Sequence, residues 1–304
     1  MSSAEFGSSK LPGKYATDYI YASNAHADHF LDAGMKVFRV PFLWPRLQHD
    51  LNAEFDADEL NRLRGLVSHI TGRGGYALLD PHDYARWAGE LIGSSSVPNT
   101  AFADFWSRLA GEFKGDDHVW FGLMNEPNGV AATQWLAAAN AAIAGIRASG
   151  AQNLVLVPGV RWTGAHSWYS GDSGSNAAVM GGVVDPLDHY AYELHQYLDS
   201  DSSGTKENGE CVSTTIGSER LKAVTGWLRE KGKKGFLGEG AGANTATCAA
   251  AIADMLTYMR ANQDVWFGFS WWAAGPWWGD YMFSLAPAGD GTPKPQEAWL
   301  TPFL

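Results

Sequence analysis

The sequence predicts an α/β protein of the (β/α)8, or TIM-barrel, type. Seven short apolar runs rich in strand formers recur along 304 residues, and stretches with apolar residues at helical spacing separate them. Strict alternation of strand and helix implies a parallel sheet, closed or doubly wound. Several of the runs also end in polar residues able to do chemistry, and strand C-terminal tips are where a closed barrel keeps its site. One barrel of this length is ordinary, so a single domain spanning residues 1–304 is expected.

The first expected helix lies around His26–Ala33. The strand that should precede it has only Met1–Gly7 to draw on, little more than the stub Ala4-Glu5-Phe6-Gly7, so the first strand is expected to be truncated or missing. Met35–Phe42 (MKVFRVPF) is the first full strand. Leu60, Leu63, Val67 and Ile70 come next at helical spacing, with Asp56 or Asp58 to cap the helix and Gly72 to stop it. Tyr76–Asp83 (YALLDPHD) is a strand, and Phe102, Phe105, Trp106, Leu109 and Phe113 mark an amphipathic helix between Asn99 or Thr100 and Gly115. Val119–Glu126 is a strand that Pro127 must end, because proline cannot donate to a ladder. An Ala-rich helix from about Thr133 to Ser149 leads to the strand Asn153–Pro158, and then to a Gly/Ser-rich loop, Arg161–Gly182. Next come the strand His189–Tyr197, a polar loop (Asp199–Gly217), a helix capped by Ser218 and stopped by Gly232, and the strand Lys234–Gly240. A helix bearing Ile252, Leu256 and Met259 and the strand Val265–Trp272 complete the pattern.

The net charge of −11 gives a surface that repels DNA, RNA and anionic lipid, so nucleic acid is not expected as a partner. No apolar run reaches the roughly 20 residues of a membrane span, so no membrane partner is expected either. The first ten residues, MSSAEFGSSK, lack the basic and apolar regions of a secretory signal. A core needs some of the 14 Trp, but a flat indole in a loop is different, because it stacks well on sugar rings and other ligands. Cys211 and Cys248 fall in loop or loop-to-helix segments, as two unrelated thiols or as one disulfide in an oxidising compartment.

The polar residues at the strand ends are Arg39, His82, Asn125 with Glu126, His195 with Tyr197, Glu239, and Trp272. Each alone has a plain structural explanation, such as a satisfied core histidine or a helix-capping acid. Burying a charged group unpaired is costly, so charged strand tips occurring together need a reason. Glu126 and Glu239 are 113 residues apart, yet both close a strand and can face each other on one rim. Two acids flanking a glycosidic bond are the minimal machinery for glycoside hydrolysis.

With these residues in place, the chain resembles glycoside hydrolase family 5, in its fungal and bacterial endoglucanase (cellulase) branch. LDPHDYARW, VWFGLMNEP, HQYLDSDSSGT and FSWWAAGPWW carry the resemblance, which covers nearly all of the chain from Glu5 onward. The motifs are specific in combination, although NEP alone is weak. The resemblance implies a two-step retaining hydrolysis of β-1,4-glucan through a covalent glycosyl-enzyme intermediate, by an endo-acting secreted or extracytoplasmic enzyme without metal or cofactor. Glu126 would be the acid/base and Glu239 the nucleophile, with Arg39 and Tyr197 keeping Glu239 ionised. Asn125 would bond the sugar 2-hydroxyl, His82 and His195 would bind hydroxyls or orient the acids, and Trp272 would floor the cleavage subsite. Trp44, Trp162, Trp277 and Trp278 are candidates for outer subsites. The family pattern also pairs Cys211 with Cys248. It includes a full first strand ahead of the EFG-like turn, which here puts barrel closure in question.

Other chemistries fit poorly. The glycines at 238, 240 and 242 do not form GxGxxG before a helix, and no Walker motif, HExxH or GxSxG is present. The remaining alternatives are a β-mannanase or mixed-linkage β-glucanase of the same family, or a non-catalytic barrel that kept its aromatic groove.

Overall fold

The computed structural model describes residues 1–206 and 208–304. Seven parallel strands form its centre: β1 (Val37–Phe42), β2 (Tyr76–Pro81), β3 (Val119–Gly122), β4 (Val155–Pro158), β5 (Tyr190–His195), β6 (Gly235–Glu239) and β7 (Trp266–Phe269). They lie side by side in chain order. Helices α1 (Asn24–Asp32), α2 (Ala57–Gly72), α3 (Asn99–Phe113), α4 (Ala132–Ala148), α5 (Ile216–Lys231) and α6 (Ala246–Ala261) alternate with them. The Asp56 carboxylate accepts from Glu59 N at the start of α2, and Gly232 ends α5 at φ 64°, as their residue types require. Ser218 does not cap α5, which starts at Ile216; the Ser218 N–H is instead satisfied by Asp254 of α6.

Alternation along the strands sorts residues into two sets. Val40, Leu79, Phe121, Val157, Tyr192 and Leu237 join the large cluster shared with the helices. Leu78, Leu156, Ala191 and Phe236 form a separate small cluster with Val37 and Trp120, which fills the floor of the barrel interior. Above that floor the interior turns polar.

The sheet curls far enough for Arg39 of β1 to reach Glu193 of β5 and Glu239 of β6. Among the described residues, no strand pairs β1 with β7. Instead residues 1–3 lie across the rim of the seam: the Met1 nitrogen donates to Arg39 O, and Ser2 N donates to Ala274 O at 2.8 Å. Below them an open cleft of about 450 Å³ runs between the two edges, lined by Val37, Trp266, Phe267 and Phe269 among others. Phe267 is 39% exposed in consequence, whereas β4, β5 and β6 are buried throughout. The expectation of a truncated first strand therefore describes this chain, and the seam is where that strand would lie.

Cys211 and Cys248 form a disulfide spanning 37 residues. It ties the loop after β5 to the first turn of α6. That loop packs on the site, since a Cβ at Gly204 would stand 2.5 Å from the Tyr197 ring. A crosslink of this span stabilises by about 2–4 kcal/mol, chiefly by restricting the unfolded chain. Replacing both cysteines by alanine is expected to lower stability by about that amount in denaturant titrations. Reductant is expected to destabilise the natural chain similarly and leave the variant unchanged.

Candidate active site

Eight residues named from the sequence meet at the C-terminal rim. Arg39 sits at the centre and is buried. Its guanidinium donates from Nε to Glu193 Oε1 at 2.9 Å, from NH1 to Glu239 Oε1 at 2.7 Å, and from NH2 to Asn125 Oδ1 at 2.7 Å. Asp80 Oδ2 lies 3.0 Å from NH1. Burial alone would disfavour the cation, but Asp80, Glu193 and Glu239 outweigh it and hold the guanidinium charged.

Glu239 ends β6. Its second oxygen, Oε2, accepts from the Tyr197 hydroxyl at 2.6 Å, so both oxygens are engaged by donors, as suits a carboxylate. Burial and then the Glu239 charge push the Tyr197 phenol well up, which keeps it a donor. Glu126 faces Glu239 across the rim, with carboxylate oxygens of the two within 4.8 Å of each other. His195 links them: its Nδ1 lies 2.8 Å from Glu126 Oε1 and 3.5 Å from Glu239 Oε2. Burial raises the Glu126 carboxyl above its ordinary range, contact with His195 pulls it back, and the Glu239 charge adds to the rise. On His195 burial opposes the charge, yet Glu239, Glu126 and Glu193 together bring its pKa to about 10.

His82 ends β2. Its Nδ1 lies 2.8 Å from Asp80 Oδ2, its Nε2 lies 3.1 Å from Asn125 Nδ2, and its ring stacks on Trp272 at 5.0 Å. Trp278 meets Trp272 edge-on at 5.7 Å and donates its indole N–H to Ser2 Oγ.

The chain reaches this rim by leaving regular strand early. β3 stops at Gly122 rather than running to Glu126, although Leu123 N and Asn125 N still donate to Leu156 O and Pro81 O. β7 likewise stops at Phe269, ahead of Trp272. Glu126 then takes φ +40°, a left-handed conformation that costs a non-glycine residue on the order of 1–3 kcal/mol. Arg161, Trp162 and Thr163 are all left-handed, and so is Trp277. This backbone turns Trp162 and Trp277 outward, 56% and 48% exposed, where large apolar rings are free to meet a ligand. Trp162 N also donates to Pro127 O, which ties that loop to the Glu126 turn.

Trp44 needs correction. It is fully buried against Phe102 and Phe105 and donates its indole N–H to Gln48, so it is a core residue and not a subsite. Asp80 and Glu193 join the cluster without having been expected there. Each lies two residues before a rim histidine, and the period of two along a strand puts it on the same inward face.

The profile of the cellulase family (glycosyl hydrolase family 5) matches residues 2–275. The chain belongs to glycosyl hydrolase family 5. Endo-beta-1,4-glucanase B of Aspergillus niger is 46% identical over 292 residues, which are 96% of this chain and 84% of that protein. A crystal structure of an endo-beta-1,4-glucanase from Xanthomonas axonopodis pv. citri is 48% identical and superposes with a TM-score of 0.97, covering 100% of this chain and 96% of that one. XacCel5A in complex with cellopentaose gives the same TM-score and identity over 100% of this chain and 97% of that one. The fold of this glycosyl hydrolase is thus the (β/α)8 barrel of its family, seven of whose strands lie among the described residues. No helix among the described residues is long and apolar enough to cross a membrane.

Proposed function

We propose that this family 5 hydrolase is a retaining endo-β-1,4-glucanase, a single catalytic domain over residues 1–304 acting outside the cytoplasm on cellulose-type chains. The observation that carries the reading is the approach of its two acids: one carboxylate oxygen of Glu126 lies within 4.8 Å of one of Glu239, with His195 Nδ1 in reach of both. A retaining pair stands about 5–5.5 Å apart, whereas an inverting pair needs about 6.5–9.5 Å to admit a water. The cellopentaose bound by XacCel5A supports a β-linked glucose oligomer as the ligand. The disulfide supports an oxidising compartment.

In the first step a Glu239 oxygen attacks the anomeric carbon while Glu126 gives its proton to the glycosidic oxygen, whose bond to that carbon breaks. The aglycone leaves as a neutral alcohol and a glycosyl ester remains on Glu239. In the second step Glu126 takes a proton from water, the hydroxide attacks the same carbon, and Glu239 departs as a carboxylate. Two inversions give net retention. Asn125 Oδ1 is held by Arg39 and its amide nitrogen lies 3.1 Å from His82 Nε2, which leaves one amide hydrogen for the 2-hydroxyl of a bound sugar. Trp272, braced by His82, forms the floor beneath that sugar.

Proton NMR of freshly cleaved cellopentaose tests the mechanism: the β-anomer is expected first, and initial α-anomer would exclude this chemistry. Reducing-sugar release is expected to be faster on carboxymethyl cellulose than on mannan or mixed-linkage glucan. A rapid fall in viscosity per bond cleaved marks endo action. Trp162 and Trp277 are read as outer-subsite platforms. Trp162→Ala is expected to raise KM for cellopentaose ~10-fold, equivalent to about 1.4 kcal/mol. The kcat on an aryl cellobioside is expected to stay within about twofold of wild type.

A further inference from the structure

Glu193 is a buried carboxylate that the two-step mechanism does not use. It lies on β5 two residues before His195, facing the barrel interior, and its Oε1 is 2.9 Å from Arg39 Nε and 3.3 Å from His195 Nε2. Its space is kept by glycines: a Cβ at Gly238 would come within 2.3 Å of Glu193 Oε1, and one at Gly122 within 3.2 Å of Oε2. Two strands thus forgo side chains where this acid sits. We propose that Glu193 is the positioning residue that fixes the proton of His195 on Nε2, so that Nδ1 is left as the position exchanging a proton with Glu126.

The chemistry rests on what each atom can do. Burial works against an anion at Glu193, but Arg39 and then His195 hold its carboxyl below the ordinary range. An ionised carboxylate only accepts, so the imidazole nitrogen facing it must carry the hydrogen. The other nitrogen, Nδ1, then shares one proton with Glu126 Oε1 across 2.8 Å. The proton rests on the carboxyl when Glu126 acts as acid, or on the imidazole once Glu126 has become the carboxylate. Such a pair titrates as a unit. The charged and titratable groups facing it are Arg39 from β1, Asp80 and His82 from β2, Tyr197 beyond β5, and Glu239 from β6. Among the described carboxylates not taking part in the reaction, Glu193 is the one in contact with the imidazole. Its negative charge favours the protonated pair, so the pair loses its proton at higher pH than it would without Glu193.

The inference rests on Glu126 being the acid/base, and that assignment is tested on its own by rescue of a Glu126 variant with an activated aryl glycoside, which does not involve Glu193. In Glu193→Gln, the alkaline limb of kcat/KM is expected to move down by about one pH unit. In Glu193→Asp, which keeps the charge, the limb is expected to stay within a few tenths of a unit even where kcat falls. A limb unmoved in the Gln variant, or moved equally in both, overturns the proposal, because a purely structural role would lower activity without that split. Should Glu193→Gln fail to fold, nitrogen-15 NMR of the natural protein decides, with His195 assigned by its loss in His195→Gln. The single-hydrogen state decides: once rising pH leaves one hydrogen on the imidazole, that hydrogen on Nε2 supports the proposal, and its lying on Nδ1 overturns it.

Discussion

Replacing Glu239 by glutamine is expected to lower kcat on cellopentaose on the order of 10⁵-fold, a loss in keeping with removal of a covalent nucleophile. Glutamine keeps the shape. Its amide oxygen can still accept from Arg39 NH1, and Arg39 retains Asp80 and Glu193 as counterions. The variant should therefore fold, with a thermal midpoint close to wild type, which separates lost chemistry from lost structure. An activated 2-deoxy-2-fluoro cellobioside should label the natural enzyme with one glycosyl group, found by mass on the peptide containing Glu239, and leave the glutamine variant unlabelled. Glu239→Ala opens space at the same place. Azide is expected to restore turnover there with the opposite anomeric configuration, because a single displacement replaces two. Unassisted activity in either variant within tenfold of wild type would falsify the nucleophile assignment.

The rim is legible in the sequence because each strand brings a short polar tip to a shared face, and that face can be read from strand ends alone. Arg39, His82, Glu126, His195 and Glu239 lie on or just beyond five different strands, yet all meet within one hydrogen-bonded cluster. Asp80 and Glu193 are hidden one step further in. The strand tips do not include them, although counting back by two from each histidine leads to an acid on the same face. Trp44 misleads for a different reason. Its position just past β1 resembles that of a rim residue, but its burial depends on Phe102 and Phe105 of α3, a packing partner that local pattern does not reveal. The ends of β3 and β7 also escape the pattern. The residues beyond them are apolar enough for strand, and the left-handed turn at Glu126 is fixed by what surrounds it.

Closure of the barrel lies outside local pattern for the same reason. Whether β1 and β7 meet depends on a strand between them, and with that strand a stub the two edges stand apart around an open cleft. The bonds of the site cross the interior instead of running along the sheet. Arg39 joins β1 to β5 and β6 directly, and the Met1 nitrogen and Ser2 hold the upper rim of both edges.

Removal of the second acid is expected to show a different signature. Glu126→Ala should lower kcat on cellulosic substrates by about 10²–10⁴-fold, the range for loss of a positioned proton donor. It should spare the first step on a dinitrophenyl cellobioside, whose leaving group departs without a proton. The second step still lacks its base, so a burst of dinitrophenol and then slow turnover are expected, with the glycosyl-enzyme accumulating. The alkaline limb of the pH profile should vanish as well. Burial raises the Glu126 carboxyl, which keeps the acid protonated to a higher pH than a free carboxyl, and activity falls as pH rises through that raised value. Without the carboxyl, no proton remains there to lose. Equal losses on both substrates, with the limb retained, would move the acid/base role away from Glu126 and toward its neighbour His195, 2.8 Å away.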